Sequence, residues 1–480
     1  MINTANAIEA LPMYIGGQWV TTPEQQVVEL PYDGTPVGAC YQADAALVNQ
    51  AIESAHQGAK LMRRLTNCER AELLVRITDI VRRDLADFAT LICHETGKPV
   101  KEARGEAERT LQTLIASAEV ARNLHGEVIP LDGAPIGKGR MAMTVREPLG
   151  VIAAITPFNV PFNLMMHKVG PALAAGNAVV HKPASTTPLS ALRFARAVEE
   201  AGAPAGAYNV VTGPGSVLGN AMVASPLVAM ITFTGSREVG LDIRAKAGLK
   251  RVTLELGSNS ALVVEPDSDL DVVAARAVIG SFSHSGQVCI SVQRIYVHES
   301  IADAFLEKFA AATAKLRIGH PFEETTDISS LITEKEAVRV EAWIKEAVSQ
   351  GARLVCGGGR KRATVEPTIL ADAPPSARIS CQEAFGPVVV VNRYAKFADA
   401  IAMVNDSVYG LQAGIFTRDL ERAFQAAREF EVGGVIINDV PMFRADHMPY
   451  GGVKESGTGR EGPRYAVEEM SEMKLICWKI

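Results

Sequence analysis

Hydrophobic positions recur with a 3.6-residue period through three early stretches, 43–65, 68–96 and 100–124, and predict helices there. The second reads RAELLVRITDIVRRDLADFATLICHETG, and Gly97 and Pro99 punctuate its end. At 127–147 the pattern becomes two short extended segments, EVIPLDG and GRMAMTVREPLG, joined by a Gly/Pro loop as in a hairpin. From 150 it changes again. GVIAAITP, NAVVHKP, AYNVVTG and MITFTG are short apolar runs, each ending in Pro or Gly. Helical stretches near 162–175, 188–202, 215–224 and 236–247 separate or follow them. Strands that are apolar throughout suit a parallel sheet buried on both faces, with helices as crossovers. A second alternation starts near 261 with ALVVEP and runs through RIYVHES, ARLVCGG, VVVVNRY and GLQAGIFT to GGVIIND. Two α/β domains are the economical reading. The tail, AVEEMSEMKLICWKI, reads as an edge strand available to another element or another subunit.

Length and composition narrow the class. A chain of 480 residues is too long for one hydrophobic core. Hydrophobic residues make up 48% and charged residues 21%, as in a soluble globular protein. The net charge of -6 is spread without long runs, which argues against a nucleic-acid or anionic-membrane surface. Seven cysteines, an odd number with no CxxC, argue against a disulfide framework or a zinc knuckle, so no metal site is expected. No apolar run approaches the roughly 18 residues of a membrane span, and no signal peptide is recognisable. A cytoplasmic location is the expectation.

Chemistry enters at the ends of the predicted strands, where open parallel sheets bind ligands. ITPFN (155–159), HKPAS (181–185) and TFTGS (232–236) sit there. Gly235 and Ser236 begin a helix directly after a strand, a place suited to a pyrophosphate or simply to an ordinary Ser N-cap. TGPGSVLG (212–219) matches only the first half of the dinucleotide fingerprint. In LELGSNS, Glu255 is either a buried carboxyl fit for general-base work or a strand-end Glu facing water. In SFSHSGQVCISVQR, Cys289 is either a nucleophile or a small apolar side chain. Its polar neighbours are not core-like, Gly286 permits close backbone approach, and a helix opening at Cys289 would stabilise the thiolate. His284 is a nearby candidate base, disfavoured by its short spacing. EAFGPVV (383–389) and PYGGVKESGTGREG (449–462) complete the set, the latter with a flexible surface loop as the plain alternative.

Together, ITPFN, HKPAS, FTGS, LELGSNS, GQVC, EAFGPV and PYGGVKESG, in this order and spacing, resemble the NAD(P)-dependent aldehyde dehydrogenase superfamily, in particular its lactaldehyde-dehydrogenase-like branch. The resemblance spans essentially the whole chain. It implies two doubly wound parallel-sheet domains and a small β oligomerisation flap. A cofactor-binding domain would span 1–122 and 147–253, a catalytic domain 254–462, and the flap 123–146 and 463–480, within a homodimer or homotetramer. It implies Cys289 as nucleophile, Glu255 as general base, and the Asn159 side chain with the Cys289 N–H as oxyanion hole; Lys168 matches a recurring lysine. The cofactor, NADP or NAD, would lie along Ile155, Thr156, Pro157, Phe158, Lys182, Ser185, Gly215, Phe233, Gly235, Ser236, Leu256, Gly257, Glu383 and Phe385.

Departures from the family pattern refine these expectations. Glu255 favours hydrolysis over transfer to coenzyme A. Ser185 stands where NAD-preferring members often carry Glu, so NADP should be accepted. Phe158 replaces a frequent Trp. Val288 and Ile290 flank the nucleophile with an apolar wall, which argues against a phosphate there. A small polar aldehyde (lactaldehyde-like or a semialdehyde) is the expected substrate, with a phosphorylated, phosphonated or aromatic aldehyde as the alternative. Arg444 and His447 are candidate contacts to a hydroxyl or carboxylate, against a surface loop held by an Arg444–Asp446 contact; Arg109 is a further candidate anion contact. Two other classes compete: a cysteine esterase using Cys289 without nucleotide, and a non-catalytic scaffold, which would need none of Cys289, Glu255 and Asn159.

Overall fold

Four of the apolar runs lie side by side with the strand that leads into LELGSNS in the computed structural model, which describes residues 9–480. In spatial order they are Arg251–Glu255, Val228–Thr234, Val151–Ile155, Ala178–Lys182 and Tyr208–Val210, all parallel. Every residue of Val151–Ile155 and Ala178–Lys182 is buried, as in a sheet covered on both faces. Antiparallel strands close both edges: Gly457–Thr458 beside Arg251–Glu255, and the hairpin of Met13–Ile15 and Gln18–Val20 beside Tyr208–Val210.

Strand order explains where a cleft must open. The chain starts this sheet's parallel core at Val151–Ile155, winds outward to Ala178–Lys182 and Tyr208–Val210, then crosses back to Val228–Thr234 on the other side. Crossovers on the two sides leave the sheet in opposite directions, so the carboxyl ends of Val151–Ile155 and Val228–Thr234 are left uncovered. The second sheet repeats the design. Its order is Arg353–Cys356, Thr368–Ala371, Val388–Tyr394, Arg294–His298, Ala261–Val264, Gln412–Phe416 and Gly434–Ile437. The fold is α/β with two doubly wound sheets, as the alternation predicts.

Three local features depart from the sequence reading, while the tail forms the edge strand expected of it. The segment 68–96 is two helices, Asn67–Arg83 and Leu85–Thr96. Asp84 breaks the run, with φ −98° and ψ 17°, and its carboxylate pairs with Arg83 and Arg193. The second partner is 109 residues away and invisible to local periodicity. Residues 10–41 hold five short strands that no pattern announced, most of only two or three residues. Arg353–Cys356 joins its sheet antiparallel to Thr368–Ala371, a strand not foreseen. The tail Ser471–Lys479 pairs along its whole length with Arg140–Pro148 of its own chain, which pairs in turn with Val128–Ile129. Among the described residues, no helix is long and apolar enough to cross a membrane.

Candidate active site

The uncovered strand ends open into a cleft of about 870 Å³. Its floor comes from the first sheet: Ile155, Thr156, Pro157, Phe158 and Asn159 after one strand, Phe233, Gly235 and Ser236 after the other. Lys182 and Gly215 line one end, and Leu256 and Glu255 the side. Cys289, Glu383 and Phe385 face them from the second sheet's half of the chain. Ser185 and Gly257 sit behind this surface. Ser185 Oγ donates to the Gly213 carbonyl at 3.1 Å. A Cβ on Gly257 would lie 2.4 Å from Glu383 Oε2, so glycine is what lets that carboxyl settle there.

The cleft has the features a dinucleotide needs. Gly235 has no side chain to block the floor, where a Cβ would meet the Phe233 ring at 2.5 Å. Ser236 caps the helix Arg237–Lys246, whose free N–H groups open toward an anion. Lys182 donates to the Pro183 carbonyl at 2.7 Å, and burial lowers its ammonium to about 8, leaving it mostly charged at neutral pH. Glu383 accepts from the Ser258 N–H at 2.9 Å, and burial raises its carboxyl to about 7.

Cys289 stands on a turn, not a helix. Residues 287–291 carry no helix, so the expected help from a helix dipole does not arise. Instead the chain leaves the helix Leu270–Phe282 through three consecutive left-handed residues: His284 (φ 49°), Ser285 (φ 53°) and Gly286 (φ 72°). The conformation is costly for the first two and marks a constrained backbone. A Cβ on Gly286 would lie 2.1 Å from the Gly386 carbonyl oxygen, which bears out the close approach expected there. The Cys289 backbone N–H has no acceptor among the described residues. Burial pushes the thiol up to about 11, opposed by a 2.8 Å hydrogen bond between Sγ and the Tyr450 hydroxyl.

Asn159 is brought to this turn from 128 residues upstream, its Nδ2 donating to the Gln287 carbonyl at 2.9 Å. Its backbone is pinned as well. Lys98 Nζ donates to the Asn159 carbonyl at 2.7 Å and pairs with the buried Glu106. Glu106 in turn accepts from the Phe162 N–H at 2.8 Å, at the start of the helix Pro161–Ala175. His284 packs near Lys98, with its backbone N–H on Glu102, and makes no hydrogen bond to Cys289.

Glu255 does not face water. It is 3% exposed, and neither carboxyl oxygen has a hydrogen-bond partner. Burial, reinforced by the nearby Glu461 charge, holds it well above the usual carboxylate range against the pull of Lys168, Arg444 and Arg460. Glu461 is its opposite. Burial disfavours its charge, but Lys168 at 2.7 Å and Arg444 at 3.0 Å keep it ionised. The two carboxyls are thus shifted in opposite directions: upward for Glu255, which has no direct partner, and downward for Glu461, which has two.

A free thiol, a carboxamide and an unpartnered carboxyl thus converge on one dinucleotide-sized cleft. The family model described as "Aldehyde dehydrogenase family" matches residues 19–476. The chain belongs to the aldehyde dehydrogenase family. It is similar to a 3-sulfolactaldehyde dehydrogenase of Priestia megaterium, 49% identical over 97% of each chain. It is similar to a lactaldehyde dehydrogenase of Methanococcus aeolicus, 38% identical over 97% of this chain and 99% of that one. Among solved structures it resembles the glyceraldehyde-3-phosphate dehydrogenase of Methanocaldococcus jannaschii complexed with NADP. That pair has a TM-score of 0.92 and is 38% identical over 96% of this chain and 100% of that one.

Viewed as an aldehyde dehydrogenase, the segment 443–462 differs most from its sequence reading. PYGGVKESGTGREG is no flexible surface loop: Gly457–Thr458 edges the first sheet, Val453–Lys454 pairs with Tyr409–Gly410, and Tyr450, Ser456 and Glu461 are buried. No Arg444–Asp446 contact forms. The Arg444 side chain is 7% exposed, paired with Glu461, and its guanidinium carbon lies 3.7 Å from the Tyr450 ring centroid. Asp446 is taken by Arg109 at 2.8 Å, Asn163 at 2.9 Å and His167 at 3.0 Å. Arg109 is therefore already paired with a carboxylate, and His447 lies exposed on the surface. Val288 and Ile290 pack with Leu411 and Tyr450 as the apolar wall beside Cys289. Tyr450, Glu461 and the Lys98–Glu106 pair went unnoticed in sequence, because each contacts its partner only through the folded chain.

Proposed function

We propose that this aldehyde dehydrogenase oxidises a small polar aldehyde, lactaldehyde-like or a semialdehyde, to its carboxylic acid with NAD(P)+. The observation that carries the mechanism is that Cys289, Asn159 and Glu255 line one cleft although they are far apart in sequence. The Cys289 thiolate attacks the aldehyde carbon, and the carbonyl oxygen takes up the negative charge. The Asn159 amide and the Cys289 N–H are the donors for that oxyanion, and one such donor is worth about 3–4 kcal/mol. When bound, NAD(P)+ supplies the hydride acceptor. Lys182, Ser236 and Glu383 are the residues read as holding it. Glu255 then takes a proton from water, which adds to the Cys289 thioester. The carbon–sulfur bond breaks and the thiolate is regenerated.

The substrate reading is supported by the similarity to 3-sulfolactaldehyde and lactaldehyde dehydrogenases and by the apolar Val288–Ile290 wall, which offers no charge to a phosphate. The cofactor reading is supported by Ser185, whose hydroxyl puts no carboxylate where a 2′-phosphate would be repelled. Steady-state oxidation of an aldehyde panel with NAD and NADP in parallel tests both. Lactaldehyde, 3-sulfolactaldehyde or succinate semialdehyde should give the highest kcat/KM. A preference for long aliphatic or aromatic aldehydes overturns the substrate reading. A kcat/KM with NADP about a hundredfold or more below that with NAD overturns the cofactor reading.

The same proposal includes a homodimer or homotetramer. Ser471–Lys479 leaves a nine-residue strand at a sheet edge, with Met473, Leu475 and Trp478 exposed by 50%, 58% and 40%. Such an edge pairs readily with another chain. Sedimentation should show a dimer or tetramer that Leu475→Asp dissociates; a monomeric parent enzyme contradicts this. The seven free cysteines support a reducing, cytoplasmic setting.

A further inference from the structure

We propose that Tyr450 is a catalytic residue and Arg444 a positioning residue for it: the phenol hydroxyl holds the Cys289 sulfur and hydrogen-bonds it as a thiolate, while the Arg444 guanidinium fixes the phenol from its ring face. The inference rests on the reading of Cys289 as the nucleophile and adds a second group to that atom.

Three observations carry it. Cys289 Sγ and the Tyr450 hydroxyl are 2.8 Å apart, and Tyr450 is 2% exposed, so water does not compete for the contact. Arg444 lies over the Tyr450 ring at 3.7 Å and is itself held by the Glu461 carboxylate, which Lys168 also grips. The Tyr450 ring packs against Ile290 and Leu411, so its orientation is set by packing as well as by charge. With no helix at Cys289, the thiolate needs another source of stabilisation, and this contact supplies it.

The surrounding charges show why a donor matters. Arg444 favours a negative sulfur, but Glu383 and Glu255 oppose it, and burial opposes it most. A hydrogen bond from an uncharged donor offsets that cost without adding a net charge that the aldehyde and cofactor would have to meet. Burial and the neighbouring Cys289 raise the phenol well above its ordinary value of 10, so Tyr450 stays protonated and donates a hydrogen bond. The cation on its ring face polarises the hydroxyl further and makes it a better donor.

Tyr450→Phe keeps the ring and its packing and removes only the hydroxyl. The test is the pH dependence of Cys289 alkylation by iodoacetamide, followed by peptide mass spectrometry, with kcat and KM measured alongside. Tyr450→Phe should move the alkylation midpoint upward by about one to two pH units, the size expected for one hydrogen bond to a charged group. At neutral pH kcat/KM should fall about tenfold or more and recover as pH rises. Arg444→Lys should shift the midpoint in the same direction by less. An unchanged midpoint in Tyr450→Phe overturns the proposal even if activity falls, because packing damage does not alter ionisation alone. An unchanged kcat/KM overturns the catalytic role. If Cys289→Ala keeps its activity, the reading of the nucleophile has failed instead, and the two failures are told apart.

Discussion

Cys289→Ala is expected to lower kcat for aldehyde oxidation by about 10⁴-fold or more, with cofactor binding retained. The size follows from chemistry. Without sulfur there is no covalent adduct, and the barrier split into addition and hydrolysis becomes one step with no nucleophile. The other six cysteines do not line the cleft, so none can substitute. Retention of binding follows from geometry: Lys182, Gly235, Ser236 and Glu383 owe nothing to the thiol for their positions. The measurement is steady-state turnover with saturating aldehyde, paired with cofactor titration by fluorescence. Turnover within tenfold of the parent enzyme would remove Cys289 from the mechanism and leave the cleft without a nucleophile.

The second large effect belongs to Glu255. Glu255→Gln should form about one equivalent of reduced cofactor per site in a burst and then turn over about 10²- to 10⁴-fold more slowly, because the thioester forms but no base activates water. The pH dependence carries the sign. Burial holds the carboxyl neutral to higher pH than usual, and only its ionised form accepts a proton. Steady-state turnover of the parent enzyme should therefore rise with pH through the raised ionisation, and that rise should vanish in Glu255→Gln. Stability moves the other way. A raised carboxyl ionisation means the fold binds the proton more tightly than the unfolded chain does. Its contribution is full below the unfolded value and is lost as pH rises toward the folded one. The substitution removes that loss, and since neither Glu255 oxygen has a partner to forfeit, the variant should melt no earlier than the parent. Loss of the burst together with turnover would assign Glu255 to the first half-reaction.

Glu255 and Cys289 also mark how far sequence reasoning reaches. The alternation of apolar runs and helical stretches predicted both sheets, because a strand buried on two faces must be apolar throughout. The residues predicted for catalysis and cofactor binding line the cleft apart from Lys168, which is buried against Glu461, and Ser185 and Gly257, which do not line it. Each element that escaped depends on a distant partner or on too few residues. Asp84 breaks a helix with the help of Arg193, and the strands of 10–41 are too short to show a period. The expected helix at Cys289 gave way to a left-handed run that the Gly386 carbonyl accommodates.

The sequence by itself determined the fold class, the family resemblance through which Cys289, Glu255 and Asn159 are read as the working groups, and Gly286, which lets backbone approach backbone. Those follow from residue types in a fixed order and spacing. Tertiary structure alone decided their electrostatic state: that Glu255 is buried without a partner while Glu461 near it is doubly paired, and that Tyr450 meets the Cys289 sulfur with Arg444 over its ring. Burial and charge proximity set ionisation, and both arise only when segments more than a hundred residues apart are folded into contact.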